Sequence, residues 1–272
     1  EFTVLLPCIE CSEEVSEVAN KVLESLLSPF SLSSCEVTIS ASIGVGIYPD
    51  NGRNVSTLLR CADNAMYRAK ESGRSGFQFY TDQMQIDSQE RVILERELRY
   101  ALKEGQFLLH YQPQVEVGSH RVIGTEALIR WQHPTKGLIP PNVFIPVAEA
   151  TGLIVPIGEW VIHEACRQLS IWRTEGFTDL TMAINLSARQ FFQKNLLETI
   201  QKEIDATAIP ASNLEFEITE SLMMNNIEET IETLQKMKDL GLQLSIDDFG
   251  TGYSSLSYLK KFPLNKLKID KS

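Results

Sequence analysis

The sequence lacks the long apolar runs and the paired cysteines that whole classes of protein require. No apolar stretch reaches the roughly 18 residues of a transmembrane helix, and no signal peptide opens the chain. The cysteines number five in 272 residues. Because an odd number in a long chain does not suit a disulfide framework, we expect a reducing, cytoplasmic compartment.

The sequence has few histidines and fewer basic than acidic residues, which limits the classes of ligand that the protein is expected to bind. The four histidines make no metal-ligand spacing, and the single C-x-x-C of Cys8 and Cys11 has no second pair, so zinc is not expected. Acidic residues outnumber basic ones by 36 to 25, giving a net charge of −11. This balance argues against nucleic acid or an anionic membrane surface as the main partner. A small anionic ligand held by a metal ion or an arginine stays compatible with it.

The first 80 residues have the rhythm of a mixed α/β segment. Alternation and apolar runs predict strands at 3–7, 37–49 and 76–80, and helical spacing predicts helices at 12–27 and 55–71. Residues 81–93 are polar with no strand pattern, so we expect a linker that leads into a helix from Leu94. The predicted organisation is a segment at 1–80, a linker at 81–93 and a second segment at 94–272.

Strands and helices alternate from residue 107 onward, which favours a parallel sheet with crossover helices, as in an α/β barrel. The predicted strands are 107–115, 122–130, 181–186, 214–218, 242–247 and 265–269. A capping box of Ser187 and Gln190 predicts the start of a helix. A second helix is predicted at 228–240, ended by Gly241.

Polar side chains lie at or near the ends of five successive predicted strands: Glu126 and Arg130, Asn185, Glu217 and Glu220, Asp247 and Asp248, and Lys268 and Asp270. The carboxyl ends of barrel strands converge on one face, so these side chains should meet in space. Carboxylates in contact raise one another's pKa unless cations neutralise them. Carboxylate and amide ligands without cysteine or histidine select Mg²⁺ or Mn²⁺, and a two-metal site suits phosphodiester hydrolysis.

Each of these residues also has a simpler interpretation when it is taken alone. Asp247 and Asp248 could cap a turn or the next helix, Asn185 could be a turn residue, and Lys268 could face solvent. The metal hypothesis therefore depends on their joint placement.

Five segments of the chain resemble the motifs of the EAL family of cyclic di-GMP phosphodiesterases: TEALIRW, INLSARQF, LEFEITES, SIDDFGTGYSSLSYL and LKIDKS. YQPQV at 111–115 and FIPVAEATGLI at 144–154 also fit. The resemblance covers about residues 92–272 and implies an (β/α) barrel of the TIM type. It implies in-line attack of a metal-activated water on cyclic di-GMP, with linear pGpG as the product.

The resemblance also assigns roles by position. Glu126, Asn185, Glu217 and Asp247 would hold a first metal ion, which Asp247 would bridge to a second ion held by Asp248. Lys268 would orient the nucleophilic water, and Glu220 would support the loop at 249–256. Arg130 would bind a substrate phosphate, and Gln112 would lie near a guanine or the phosphate backbone.

ASIGVGIYP and ADNAMYRAKESGRSGFQFY resemble the later motifs of a GGDEF domain, the diguanylate cyclase fold. Glu1-Phe2 would then be the end of the GGDEF signature. Lys70 and Arg74 match positions that bind the GTP triphosphate, so GTP is a second expected ligand. A tandem GGDEF–EAL chain with a partial first domain is the resulting interpretation, and a homodimer is expected from the family.

The chain stops after the sixth predicted strand, whereas a complete barrel has eight. We therefore expect an incomplete EAL barrel with an incomplete second metal site, in a fragment whose parent carries the activity. Whether the parent has upstream sensory regions, including a membrane anchor, is not decided by this sequence. The alternatives are a receptor that binds cyclic di-GMP without cutting it, a bifunctional protein with cyclase activity, and an unrelated Mg²⁺ barrel enzyme.

Overall fold

The computed structural model describes residues 1–9, 11–31, 36–73, 75–223, 226–250 and 261–270. The chain divides into two compact units, Glu1–Ile93 and Leu94–Ser272. No helix within the described residues has the length and apolarity to cross a membrane.

The first unit is a small α/β arrangement. Its elements in chain order are α1 (Ser12–Ser25), β1 (Phe30–Ser31), β2 (Glu36–Val37), β3 (Ser42–Val45), α2 (Val55–Glu71), β4 (Gly76–Phe79) and the start of α3 (Asp82–Ala101). β3 pairs with β4 in parallel, and α2 connects them. Gly44 permits this packing, because a Cβ atom there would lie 1.9 Å from the carbonyl oxygen of Ala62 on α2.

Two strand predictions in this unit are wrong. Residues 3–7 form no strand, since Val4 and Leu5 are exposed and therefore gain nothing from an apolar face. The stretch at 37–49 is not one hairpin strand but is divided between β2 and β3. Its alternating pattern is interrupted at 38–41, where the described chain has no regular structure.

The expected linker at 81–93 is mostly helical, because α3 begins at Asp82 and continues to Ala101. Its polar side chains are good helix formers that pair along and beside the helix. The amide of Gln83 donates to Asp87 at 2.8 Å, and Asp87 also forms an ion pair with Arg68 on α2. The polar character of residues 81–93 therefore reflects the solvent exposure of a helix and not an irregular backbone.

The second unit alternates strands and helices. Its elements are β5 (Phe107–Val115), β6 (Val122–His133), β7 (Gly137–Ile139), α4 (Pro141–Thr151), α5 (Ile154–Thr174), β8 (Thr181–Asn185), α6 (Ala188–Phe191), α7 (Leu196–Thr207), β9 (Leu214–Thr219), α8 (Glu220–Met223), α9 (Ile227–Asp239), β10 (Gln243–Phe249) and β11 (Lys266–Ile269). The predicted capping box is present, with Ser187 and Gln190 bonded reciprocally at the start of α6.

The strands of this unit form one sheet in the order β11-β10-β9-β8-β6-β5, with β7 paired to β6. β6, β8, β9, β10 and β11 run parallel, as predicted. β5 and β7 are the exceptions, because each pairs with β6 in an antiparallel manner, and no helix connects β5 with β6. Nζ of Lys266 on β11 lies 3.2 Å from Oε1 of Gln114 on β5, so the two ends of the sheet face each other across its interior.

The main core lies between the outer face of this sheet and the helices. Ile184, Phe216 and Leu244 are in register on three neighbouring strands and are fully buried, and each alternates along its own strand with residues that face the interior. The inner face carries polar residues instead, including Glu215 and Glu217. This division leaves the interior of the sheet available for a polar site.

Candidate active site

Five neighbouring strands each bring one of the predicted polar side chains to the same end of the sheet. Glu126 is on β6, Asn185 ends β8, Glu217 is on β9, Asp247 is on β10 and Lys268 is on β11. Asn185 is directly in register with Glu217. Because parallel strands of one sheet present their carboxyl ends together, residues distant in sequence become neighbours.

The carboxylates of this cluster surround the ammonium group of Lys268. Its Nζ atom lies 2.5 Å from Oε2 of Glu217, 3.2 Å from Oε2 of Glu126 and 3.3 Å from Oδ2 of Asp247. The amide nitrogen of Asn185 donates to Oε1 of Glu126 at 2.8 Å. The structure therefore brings together the four side chains predicted for the first metal ion.

Burial dominates the electrostatics of Glu217, whose side chain has no solvent exposure. Burial raises the pKa of Glu217 to about 7, although the hydrogen bond from Lys268 opposes this and the charge of Glu126 adds to it. Burial alone would lower the pKa of Lys268, but its hydrogen bond to Glu217 and the surrounding carboxylates raise that pKa above its usual value. Lys268 is accordingly a protonated hydrogen-bond donor at neutral pH.

The donor set suits a hard divalent cation, since it consists of carboxylate and amide oxygens. Oε1 of Glu217 is buried and has no hydrogen-bond partner among the described residues, so one oxygen remains available to a ligand. In the same described part, no group of three or more acidic, histidine or cysteine side chains has the spacing of a preformed metal shell. The ammonium of Lys268 lies between the carboxylates instead.

The backbone of β10 is irregular at the two adjacent aspartates, Asp247 and Asp248. Asp248 has a φ of 55°, in the left-handed region, and the pairing of β10 with β11 shifts register between Ile246 and Phe249. Aspartate tolerates this conformation better than most residues. The backbone amide of Asp248 then donates to Oδ1 of Asp247 at 3.0 Å. Strict alternation along the strand therefore does not hold at this pair.

Asp270 lies beside Asp248, in agreement with the predicted convergence of the strand-end residues, although no role was predicted for it. Burial raises the pKa of Asp248, and the charges of Asp247 and Asp270 raise it further, as does a side-chain hydrogen bond with Asp270. Asp270 directly follows the last residue of β11 and lies two positions after Lys268, a spacing that places both on the same face.

Glu220 contacts the segment that it was predicted to support. It is 3% exposed, and its Oε2 accepts a hydrogen bond of 2.9 Å from the backbone amide of Gly250. The remainder of the loop, 251–256, lies outside the described residues.

The two residues predicted to contact substrate, Gln112 and Arg130, lie on the strands beside or carrying Glu126. Within the described residues, neither side chain is hydrogen-bonded to the cluster around Lys268. Gln112 on β5 is paired with Glu126 across the hairpin, and its side chain is exposed. Arg130 lies four residues after Glu126, on the same face of β6. Its guanidinium donates to the carbonyl oxygen of Ile129 at 2.8 Å.

Of the two predicted GTP contacts of the first unit, one lies within the described residues. Lys70 is exposed in the last turn of α2. Arg74 lies outside the described residues.

Comparison with known protein families gives two matches within the chain. The model described as "EAL domain" matches residues 95–272, and that described as "Diguanylate cyclase, GGDEF domain" matches residues 1–76. The predicted tandem of the two is confirmed.

Curated relatives match over the whole chain or nearly so. The bifunctional diguanylate cyclase/cyclic di-GMP phosphodiesterase MucR of Pseudomonas aeruginosa is 44% identical over 100% of this chain and 39% of its own length. The cyclic di-GMP phosphodiesterase PdeR of Escherichia coli is 40% identical over 99% of this chain and 40% of its own length. The chain thus spans about two fifths of the length of these relatives.

Solved structures share the fold of the second unit. The PaMucR phosphodiesterase in complex with c-di-GMP is 47% identical, with a TM-score of 0.64 over 65% of this chain and 72% of that one. The EAL enzyme Bd1971 in its form bound to cAMP and cyclic di-GMP is 30% identical, with a TM-score of 0.64 over 81% of this chain and 58% of that one. The predicted fold class, α/β with a TIM-like barrel, is confirmed.

Proposed function

The chain belongs to the EAL domain family, and from that membership we propose that it forms part of a cyclic di-GMP phosphodiesterase. The proposed reaction is hydrolysis of cyclic di-GMP to linear pGpG in second-messenger signalling. Relatives that match the whole chain or nearly all of it bear the name of this activity, and the solved PaMucR phosphodiesterase binds c-di-GMP. The proposal extends their reaction to this chain.

The observation that carries the proposal is the cluster around Lys268. Three carboxylates from three strands lie within 3.3 Å of one ammonium nitrogen, and Asn185 is hydrogen-bonded to one of them. A cation-binding centre built from Glu126, Glu217 and Asp247 matches what phosphodiester hydrolysis needs at a reacting phosphate.

We propose that Glu126, Asn185, Glu217 and Asp247 hold one Mg²⁺ or Mn²⁺ ion and that Asp247 and Asp248 contribute to a second. When bound, such ions polarise the phosphoryl oxygen and lower the pKa of the attacking water. Lys268 acts beside them as a protonated donor that orients this water, in agreement with its raised pKa.

The remaining assigned residues bind substrate or support the site. Arg130 has a guanidinium suited to a phosphate, and Gln112 has an exposed amide on the neighbouring strand. Glu220 holds the backbone of Gly250, directly after the strand that carries Asp247 and Asp248. These three residues orient groups around the reacting phosphate and do not themselves transfer a proton.

The test is incubation of the purified full-length protein that contains this chain with cyclic di-GMP and Mn²⁺ or Mg²⁺, followed by chromatography for pGpG. Glu126→Gln should abolish product while its melting temperature stays near that of the wild type. The matched control is Glu104→Gln, an exposed glutamate outside the cluster, which should keep wild-type turnover. Unchanged turnover in Glu126→Gln would contradict the metal assignment.

The same assay separates the other functions. Binding of cyclic di-GMP without product would favour a receptor. Cyclase activity is the second candidate, because residues 1–76 match the diguanylate cyclase family. Formation of cyclic di-GMP from GTP would support it, and Lys70→Ala and Arg74→Ala would then test the predicted GTP contacts. Light scattering would test the predicted homodimer.

A further inference from the structure

A second ion pair lies one step along the same strands from the cluster around Lys268. Nζ of Lys266 is 2.7 Å from Oε2 of Glu215 and 3.2 Å from Oε1 of Gln114. Lys266 and Glu215 each precede by two residues the pair formed by Lys268 and Glu217. Since side chains two residues apart on a strand share a face, both pairs lie inside the sheet.

Both lysines reach across an intervening strand. The sheet order places β10 between β9 and β11, so each pair joins strands that are not hydrogen-bonded neighbours. Ser245 of β10 is in register with Lys266 on one side and with Glu217 on the other. It is fully buried, and its small side chain leaves the space that the lysines cross.

Glu215 depends on Lys266 for its charge to be neutralised. Glu215 is 3% exposed, and its Oε1 is buried without a hydrogen-bond partner among the described residues. The cation found within 4.0 Å of it in the described part of the chain is Lys266. A buried carboxylate that loses its cation is an uncompensated charge, which is strongly destabilising, so a shift of a nearby cation toward it is favoured. On β11 that cation is Lys268, about 7 Å further along the strand.

We propose that Lys266 is a positioning residue for the active site. By neutralising Glu215, it keeps the ammonium of Lys268 on Glu217, Glu126 and Asp247. Its bond to Gln114 also fixes β11 against β5, the opposite end of the sheet. The inference rests on the proposed phosphodiesterase function, because the consequence of a displaced Lys268 is a slower hydrolytic step.

The experiment compares Lys266→Met with the double variant Glu215→Gln/Lys266→Met. Lys266→Met should lower kcat about tenfold or more with KM within about twofold, because a displaced group slows the reacting step more than binding. In the double variant, Glu215 is replaced by a neutral glutamine, so no unpaired carboxylate attracts Lys268. Its kcat should therefore return to within about threefold of the wild type. Lys236→Met, which removes an exposed lysine on α9, is the control for loss of a positive charge.

A conservative variant and a crystal structure complete the test. Lys266→Arg keeps the charge beside Glu215 and should keep kcat within about threefold of the wild type. A crystal structure of Lys266→Met should place Nζ of Lys268 within hydrogen-bond distance of Glu215. Unchanged kcat in Lys266→Met, a double variant as slow as the single one, or a tenfold loss in Lys266→Arg would each overturn the proposal.

The crystallographic arm is independent of turnover. Should the wild type produce no pGpG, the proposed function fails, whereas the position of Lys268 in Lys266→Met still decides the pairing. Lys268 remaining on Glu217 in that structure would overturn the inference even where the wild type is active.

Discussion

Nζ of Lys268 lies 2.5 Å from Oε2 of Glu217, a carboxylate whose side chain has no solvent exposure. Glu217 is thus a buried acid with a cation from another strand, two positions away in the sheet order. Removal of one partner from such a pair leaves the other charge buried and uncompensated. The resulting loss of stability is larger than the net contribution of the intact pair.

From this relationship we expect Lys268→Met to destabilise the protein when metal ions are chelated. Loss of a partner from a buried ion pair corresponds to a fall of about 10 °C in melting temperature for a unit of this size. Adding Glu217→Gln to Lys268→Met should recover much of that loss. Scanning calorimetry in EDTA measures both effects.

The control for this prediction is Lys236→Met. Nζ of Lys236 is 3.9 Å from Glu232 on an exposed helix face, where ion pairs contribute little. A melting temperature of Lys268→Met equal to that of Lys236→Met would show that the central ammonium does not stabilise the cluster.

Calcium should bind the site without supporting turnover. Ca²⁺ takes six to eight oxygen ligands at longer distances than Mg²⁺, so it fits a tight two-metal geometry poorly. We expect turnover with Ca²⁺ to be about a hundredfold below that with Mn²⁺ or Mg²⁺, since misplacement by about 1 Å has costs of that order. Production of pGpG would be measured with each ion alone and in competition, and full turnover with Ca²⁺ would contradict the two-metal assignment.

Gly158 on α5 should tolerate no side chain. A Cβ atom there would lie 1.6 Å from Nε2 and 2.5 Å from Cδ of Gln190, whose side chain is held in the capping box with Ser187. Gly158→Ala should therefore displace Gln190 and destabilise the protein by about 1–3 kcal/mol despite the better helix propensity of alanine.

Gly176→Ala is a less suitable comparison for Gly158→Ala, because Gly176 has a φ of 102°. Ala165→Gly on the same helix α5 lowers helix propensity and also removes a fully buried methyl group, so it should cost more than the roughly 1 kcal/mol of propensity alone. If Gly158→Ala melts above the wild type, the close approach of Gln190 is not a constraint.

The sequence predicted the strands of the second unit well, because alternation and strand-end polar residues reflect burial directly. Glu126, Asn185, Glu217 and Asp247 could be expected to converge once a parallel sheet was inferred. Their metal-binding and catalytic roles stay predictions. The antiparallel pairing of β5 with β6 was not predicted, since an apolar run does not specify strand direction.

Other features depend on contacts that a single sequence does not contain. Helix α3 covers the expected linker because its polar residues find partners such as Arg68, which lies elsewhere in the chain. The left-handed backbone at Asp248 follows from the shifted pairing with β11. Lys266 alternates with Leu267 like a surface residue, and its partner Glu215 is 51 residues away in sequence.

Cys166 on α5 should be inert to thiol reagents in the folded protein. It has no solvent exposure, and burial raises the pKa of its thiol to about 12, with the charge of Glu203 adding to the effect. The thiol of the unfolded chain ionises near its usual pKa of about 8.5. The folded state disfavours the thiolate. Ionisation of Cys166 therefore leaves the free energy of unfolding unchanged below about pH 9 and lowers it progressively as the pH rises toward 12.

The exposed thiols of Cys8 and Cys11 provide the internal comparison. At pH 9, iodoacetamide should label both within minutes, whereas Cys166 should be labelled only after denaturant is added. Peptide mass spectrometry identifies the modified positions. Cys166→Ala should also flatten the decline of melting temperature between about pH 9 and pH 11, since the group that ionises on unfolding is gone. Rapid labelling of Cys166 in the native protein would contradict its placement in the core, because a thiol with no exposed surface becomes accessible only when α5 leaves the sheet.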